Sequence, residues 1–346
     1  MKTTLFCKNP YAFGILKPLN DELLLRGMPV LWYIPKEILA HFPYKESCVF
    51  TSEIKEVADF DNDVIIVPGN EVPHYLKGLK VQIFHGLAGE KKGHFRIRHY
   101  FDLYLTQGPY FTDRFIQLAK KFKDFEVIET GWSKLDSLFN QKDSFTKEKD
   151  QLLSESGTEK IILYAPTFSP SLTSAIELKN EILKIADEKK LVLIKFHDLM
   201  NKKIVDEYKV LIKNNSNIRI VEDNNITKYL ILSDLMISDT SSVVYEFLLL
   251  NKPVITYRSN SEHIHWQNIT KSNELCSSVE NVFVDDTFEN ERKWIIENYH
   301  PYTDGLSSKR VVDTLITYLK SNPVPDKRNI SWFRKHKMIK MFGKIN

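Results

Sequence analysis

Only three cysteines, Cys7, Cys48 and Cys276, occur in 346 residues, widely spaced and odd in number, so neither a disulfide framework nor a zinc site is supported. No uninterrupted apolar run approaches the ~20 residues needed to cross a bilayer, and the N-terminus lacks the apolar core and cleavage site of a signal peptide. A cytoplasmic location is therefore expected. No G-x-x-x-x-G-K-[ST] loop is present, and Gly14 stands alone after the first expected strand, which excludes the common ATPase and dinucleotide fingerprints. The D-x-D spelling of metal-dependent glycosyltransferases occurs twice, in Asp59-Phe60-Asp61 and Asp61-Asn62-Asp63. Both copies precede a strand, whereas a metal pair in an open α/β sheet belongs past a strand's C-terminal end, so they read as loop and no metal ligands are assigned.

What is present is the composition of a soluble globular chain, 42% hydrophobic and 27% charged, long enough for two α/β domains with separate cores. The formal charge of +3 is unevenly placed. From residue 327 onward Lys327, Arg328, Arg334, Lys335, Lys337, Lys340 and Lys344 meet no acid, and without them the remainder would be net negative. Ile330, Trp332, Phe333, Met338, Met341 and Phe342 lie between these charges. Such a segment suits the interface of an anionic membrane, and equally a solvated tail or a helix packed on the protein's own surface. Nucleic acid is not expected as a partner, because the basic charge is confined to this tail and no recognition motif accompanies it.

Short β-branched runs alternate with helical patterns, the mark of βα units around parallel sheets. Strands are expected at Thr4–Phe6, Val30–Ile34, Cys48–Phe50, Val64–Val67, Val81–Phe84, Leu103–Leu105 and Val127–Ile128. Helices are expected at Pro18–Arg26 and Phe111–Phe122. The stretch 140–159 is polar, and a second series follows: strands Lys160–Tyr164, Leu191–Phe196, Ile218–Val221, Leu235–Ile237 and Val254–Tyr257, with a helix over Leu172–Lys190. The fold class is α/β, two Rossmann-like domains whose strand ends open on a central cleft, with domains at 1–145 and 146–325 and a basic amphipathic tail at 326–346.

Ser238-Asp239-Thr240-Ser241-Ser242 joins an apolar strand to the apolar helical run Val243–Leu250. Such a joint gathers N–H groups and hydroxyls at one spot and can hold a phosphate; the same residue types are also ordinary helix caps. Glu246 lies one helical turn past Ser242 and suits a ribose diol, or is simply an exposed helix glutamate. His85 directly follows an expected strand and precedes Gly86, expected to allow the sharp turn that aims the imidazole; histidine is the usual general base for a hydroxyl. His197 ends another strand, two residues after Lys195 and on the same face, where it can pair with Asp198 as a satisfied loop residue. Thr167 sits where Pro166 redirects a strand, as a donor contact or a turn residue. Lys91, Lys92, His94, Arg96, Arg98 and His99 form a basic loop suited to an anionic acceptor, or a solvated one.

Read in order, Gln82-Ile83-Phe84-His85-Gly86, Gly131-Trp132-Ser133-Lys134-Leu135-Asp136, Leu163-Tyr164-Ala165-Pro166-Thr167-Phe168, Lys195-Phe196-His197, the segment at Ser238–Ser242, and Asp304-Gly305-Leu306-Ser307-Ser308-Lys309-Arg310 form an ordered set. From Val81 to Arg310 that set resembles the CDP-glycerol glycerophosphotransferase family of teichoic-acid primases and polymerases, with a GT-B-type fold. The resemblance implies an N-terminal acceptor side and a C-terminal donor side. It implies transfer of glycerol phosphate, or a related alditol phosphate, from CDP-glycerol or CDP-ribitol to a hydroxyl of a lipid-linked or polymer acceptor, releasing CMP, with no further cofactor. It makes His85 and His197 catalytic. It makes Thr167, Lys195, Ser241, Ser242, Glu246, Ser308 and Arg310 donor-binding, and leaves Lys91, Lys92, Arg96 and Arg98 for the acceptor. The basic tail, by its charge and aromatic residues, implies a peripheral place on the inner membrane face. Asp198 departs from the pattern, because the family often has proline there. The competing reading, a GT-B glycosyltransferase or sugar-nucleotide 2-epimerase-like enzyme using a UDP-sugar, shares the phosphate site and differs in what the base and sugar contact.

Overall fold

A computed structural model describes residues 1–89, 93–223, 225–261 and 263–345. The chain forms two compact units, Met1–Phe139 with Asn298–Asn346, and Asn140–Glu297. In the first, β1 (Thr3–Phe6), β2 (Val30–Tyr33), β3 (Phe50–Thr51), β4 (Val64–Val67), β5 (Leu79–Gln82), β6 (Leu103–Thr106) and β7 (Glu126–Glu129) make one parallel sheet in the order β3-β2-β1-β4-β5-β6-β7. In the second, β8 (Lys160–Tyr164), β9 (Lys190–Ile194), β10 (Ile218–Ile220), β11 (Leu235–Ser238), β12 (Val254–Tyr257) and β13 (Gln267–Ile269) repeat the pattern as β10-β9-β8-β11-β12-β13. β4 and β8 are rich in Val, Ile and Leu, and β1, β4, β5, β8 and β11 are all almost wholly buried, as strands covered on both faces must be. Each order reverses once, between β1 and β4 and between β8 and β11. In open α/β sheets the crevice past the strand ends at that reversal is where ligands bind.

Several expectations change. The helix expected from Pro18 begins at Phe13, and Pro18 lies inside Phe13–Leu25, whose apolar stripe Ile15, Leu16, Leu19 and Leu23 holds it against the sheet unit. Only Lys179–Ile185 of the expected Leu172–Lys190 helix is helical. β13 had no apolar run to announce it. Asn62, within the D-x-D stretch, is buried, accepting from the Thr4 hydroxyl and donating to the Val57 carbonyl, which makes that stretch a structural loop.

The largest correction concerns the domain limit. Residues 298–325, expected in the second domain, belong to the first unit. The helix Ser307–Ser321 buries Val311, Val312 and Leu315 there, and Asp313 pairs with Arg26 at 2.6 Å. Its N-terminal N–H groups, on Ser307 and Ser308, donate to the Asp136 carboxylate at 2.8 and 2.7 Å, a cap supplied from a distant part of the chain. The tail also joins this unit. Arg328 pairs with buried Asp102 at 2.6 Å, and Ile330 and Met338 enter the core. The final helix, Trp332–Phe342, is thus packed on the protein's own surface, while Trp332 and Phe333 remain 69% and 78% exposed.

Candidate active site

The crevice end of the second sheet collects most of the expected donor residues. The register Tyr164↔Ile237 makes β8 and β11 leave the sheet side by side, and the Ser238 hydroxyl donates to the Ala165 carbonyl at 2.7 Å. Asp239 then turns inward and is fully buried. Its carboxylate accepts from the Thr167 N–H at 2.9 Å and from both the N–H and hydroxyl of Ser174 at 2.8 Å. Burial pushes this carboxyl above its ordinary value, against hydrogen bonds from Ser174 and Thr167 that hold it down. Asp239 therefore knots the loop after β8 to the loop after β11, and its carbonyl accepts from the Ser241 N–H at 3.0 Å. Ser241 and Ser242 follow, half-buried, at the start of the helix Val243–Leu248. Glu246 is buried within that helix at 7% exposure, which excludes the exposed-glutamate reading.

His197 joins this group through Phe168, the neighbour of Thr167, with ring centroids 4.5 Å apart. The Leu199 N–H donates to His197 Nδ1 at 3.1 Å, so the proton of the neutral ring sits on Nε2. Burial lowers the His197 pKa, Asp198 opposes this and Lys195 adds to it. The side chain is then a neutral Nε2–H donor, and Asp198 would attract the ring only in its protonated form. Lys195 donates weakly to the Phe196 carbonyl at 3.3 Å.

In the first unit His85 lies three residues past β5. The residue with positive φ is Phe84, at 63°, and not Gly86, around which an added Cβ would meet nothing within 4 Å. Phe84 accepts this left-handed conformation because its buried ring packs on Phe115 and stacks on His94, and strain held by packing is what fixes the next side chain. His85 Nδ1 donates to the Pro68 carbonyl at 3.3 Å, which leaves Nε2 as the proton-accepting nitrogen. The Tyr11 ring, on the loop after β1, is 5.5 Å from the imidazole.

The expected donor set is divided. Thr167, Lys195, His197, Ser241, Ser242 and Glu246 lie in the second unit, whereas Ser308 and Arg310 lie in the first. Arg310 pairs with Asp304 at 2.7 Å, donates to the Thr130 carbonyl at 2.9 Å and covers the Tyr302 ring. Here two motifs of the ordered set meet. Gly131 has φ +82°, an added Cβ would stand 2.5 Å from the Ser307 hydroxyl, and the Trp132 N–H donates to His300 Nε2 at 2.9 Å. Of the basic loop, Lys91 and Lys92 lie outside the described residues. His94 is sealed among Phe84, Phe95 and Phe111, and His99 pairs with Asp124, so neither is offered to an acceptor. Sequence reasoning took Asp239 only as a possible cap; an acid directly after a buried apolar strand was the signal for its organising role. Tyr11 had no signal.

Residues 78–317 match the family model described as CDP-glycerol:poly(glycerophosphate) glycerophosphotransferase. A teichoic acid glycerol-phosphate primase of Bacillus spizizenii is 29% identical over 180 residues, 48% of this chain and 45% of that protein. A teichoic acid ribitol-phosphate polymerase of Staphylococcus aureus, TarL, is 26% identical over 236 residues, 61% of this chain and 40% of that protein. The chain thus spans less than half the length of these relatives. Among solved structures, that of the wall teichoic acid polymerase TagF superposes with TM-score 0.65 at 16% identity over 92% of this chain and 89% of that one, a likeness of fold. With more than half of its length matched, both histidines included, the chain belongs to the CDP-glycerol:poly(glycerophosphate) glycerophosphotransferase family.

Proposed function

We propose that this protein is a transferase that moves a polyol phosphate, glycerol phosphate from CDP-glycerol, to a hydroxyl of a lipid-linked or polymer acceptor in the synthesis of a cell-surface polymer. The observation that carries this reading is the opposite tautomers of two histidines inside the family match: His85 accepts a proton at Nε2, and His197 donates from Nε2–H. The acceptor hydroxyl oxygen attacks the β-phosphorus in line, the bond from that phosphorus to the CMP oxygen breaks, and the hydroxyl proton passes to His85 Nε2. His197, Ser241, Ser242 and the Thr167 loop hold the diphosphate as charge gathers on the leaving CMP. Glu246 is the group for the ribose, and the family resemblance adds Ser308 and Arg310 as phosphate-binding residues.

The test is transfer of radiolabelled glycerol phosphate from CDP-glycerol to a soluble acceptor. His85→Ala should lower the rate by roughly 10²–10⁴-fold, the usual contribution of a general base, with donor affinity unchanged. Wild-type turnover in that variant would remove the base assignment. Thermal shift with CDP-glycerol, CDP-ribitol and UDP-sugars separates this reading from a UDP-sugar enzyme, because a ligand at about 100 times its dissociation constant stabilises by ~2.7 kcal/mol.

Attachment to the inner membrane face through the tail is part of the same proposal, supported by exposed Trp332 and Phe333 among Lys335, Lys340 and Lys344. No helix among the described residues is long and apolar enough to cross a membrane. Truncation is the wrong test, since it would strip Ile330 and Met338 from the core and Arg328 from Asp102. Trp332→Ser with Phe333→Ser should instead reduce co-sedimentation with anionic vesicles while leaving the fold intact; unchanged sedimentation would exclude these side chains as anchors.

A further inference from the structure

A second feature of the first unit lies at its own sheet reversal, next to His85. A cavity of about 440 Å³ opens past the ends of β1 and β4, inside the size range of small-molecule sites, about 300–1,000 Å³. Five cations line it: Lys8 from the loop after β1, Arg96 and Arg98 from the segment after His85, and Arg334 and Lys337 from the final helix. Against them stands one carboxylate, Glu71, which already accepts from Lys8 at 2.6 Å and from Lys337. Among the described residues no carboxylate lies within ion-pair distance of Arg96, Arg98 or Arg334. Arg98 donates to Asn70 Oδ1 at 2.9 Å and to the Arg96 carbonyl at 3.0 Å, and Arg334 donates to the Arg98 carbonyl at 3.0 Å. These neutral acceptors fix the directions of the guanidinium planes and leave the charge uncompensated. Burial, with Arg96 and Arg334 nearby, holds the Arg98 pKa below its ordinary value.

Three guanidinium groups converging with two lysines repel one another unless an anion joins them, and the planar fork of arginine matches the oxygens of a phosphate. Tyr11 lines the cavity and places its ring 5.5 Å from that of His85, while Gly69, also in the lining, follows the Pro68 that binds His85. An anion held here therefore lies beside Tyr11 and the Gly69 backbone, the neighbours of the His85 ring. We propose that this cavity binds a phosphate group of the acceptor, a phosphodiester or a diphosphate, and that the final helix, through Arg334 and Lys337, is part of the acceptor site. The inference rests on the transferase reading for the word acceptor; the anion site itself does not.

The experiment uses the full chain and binding, not turnover. Titrating inorganic pyrophosphate, a soluble oligo(glycerol phosphate) and farnesyl diphosphate onto the protein by calorimetry should show saturable binding that weakens as salt rises. Arg334→Gln should weaken it by about tenfold or more, as loss of a charge-assisted contact does. Lys337→Gln, at a more exposed position that cannot threaten the core, should weaken it in the same direction. The affinity for CDP-glycerol should not move in either variant. Tighter binding of the oligomer identifies a polymer end as the source of the phosphate, and tighter binding of the prenyl diphosphate identifies a lipid-linked acceptor. Absence of binding of all three probes, or equal binding by both variants, overturns the proposal. Binding lost in the variants but without glycerol phosphate transfer by the wild type would refute the transferase reading and leave the anion site standing.

Discussion

At the scale of single residues, the places of His85 and His197 just past the ends of β5 and β9 were legible, because the apolar runs before them are written in the sequence. Their tautomers were not legible. They depend on the Pro68 carbonyl, 17 residues from His85, and on the backbone N–H of Leu199. The sharp turn was assigned to Gly86 because glycine bends freely, yet the left-handed residue is Phe84, held by a packed ring that no local pattern announces. Asp239 shows the same limit, since its partners Thr167 and Ser174 are 72 and 65 residues away. Asp239→Ala would leave three buried donors unpaired, each costing about 1–3 kcal/mol, so the loss of stability should be roughly 3 kcal/mol or more. Denaturant unfolding measures this, and CDP-glycerol affinity should fall with it as the two loops part. A loss under about 1 kcal/mol would mean that these donors find other acceptors.

At the scale of elements, strands with continuous apolar runs were placed almost to the residue, Lys160–Tyr164 and Val254–Tyr257 among them. Gln267–Ile269, polar and three residues long, escaped because its pairing with β12 alone defines it. Segment 298–310 illustrates how distant contacts decide an element's place. Gly108 is extended, a conformation any residue adopts, but a Cβ there would stand 2.5 Å from the Tyr299 carbonyl oxygen. Gly108→Ala must push that segment off the loop before the helix Pro109–Phe122, at a cost of about 1–3 kcal/mol, typical of overpacking. Amides of Trp132, Ser307 and Ser308, whose hydrogen bonds depend on the same docking, should lose hydrogen-exchange protection. Unaltered protection would show that the carbonyl can yield.

At the scale of the whole molecule, the sequence conveyed two Rossmann-like halves and missed that the chain returns to the first after completing the second, because a helix such as Ser307–Ser321 carries its address in contacts, not in its own pattern. That return has a consequence for acid stability. His94 and His300, both in the first unit, have pKa values pushed down to about 3, chiefly by burial. His94 Nε2 is sealed without a partner among the described residues, and His300 Nε2 accepts from the Trp132 N–H, so a proton there would face another hydrogen. Unfolded, each ring takes a proton near its ordinary value of 6.5. The stability these neutral rings contribute is therefore complete above pH 6.5 and is lost progressively as pH falls toward 3. At pH 5 the loss should be about 2 kcal/mol for each histidine, roughly 4 kcal/mol for the pair. Hydrogen-exchange protection factors at pH 7 and pH 5 should fall more in residues 1–139 and 298–345 than in 140–297, where the described histidines with resolved shifts, His197 and His265, are only modestly lowered. His94→Phe, which keeps the stack on Phe84, should remove about half of the difference; an equal acid response in that variant would assign the effect to other groups.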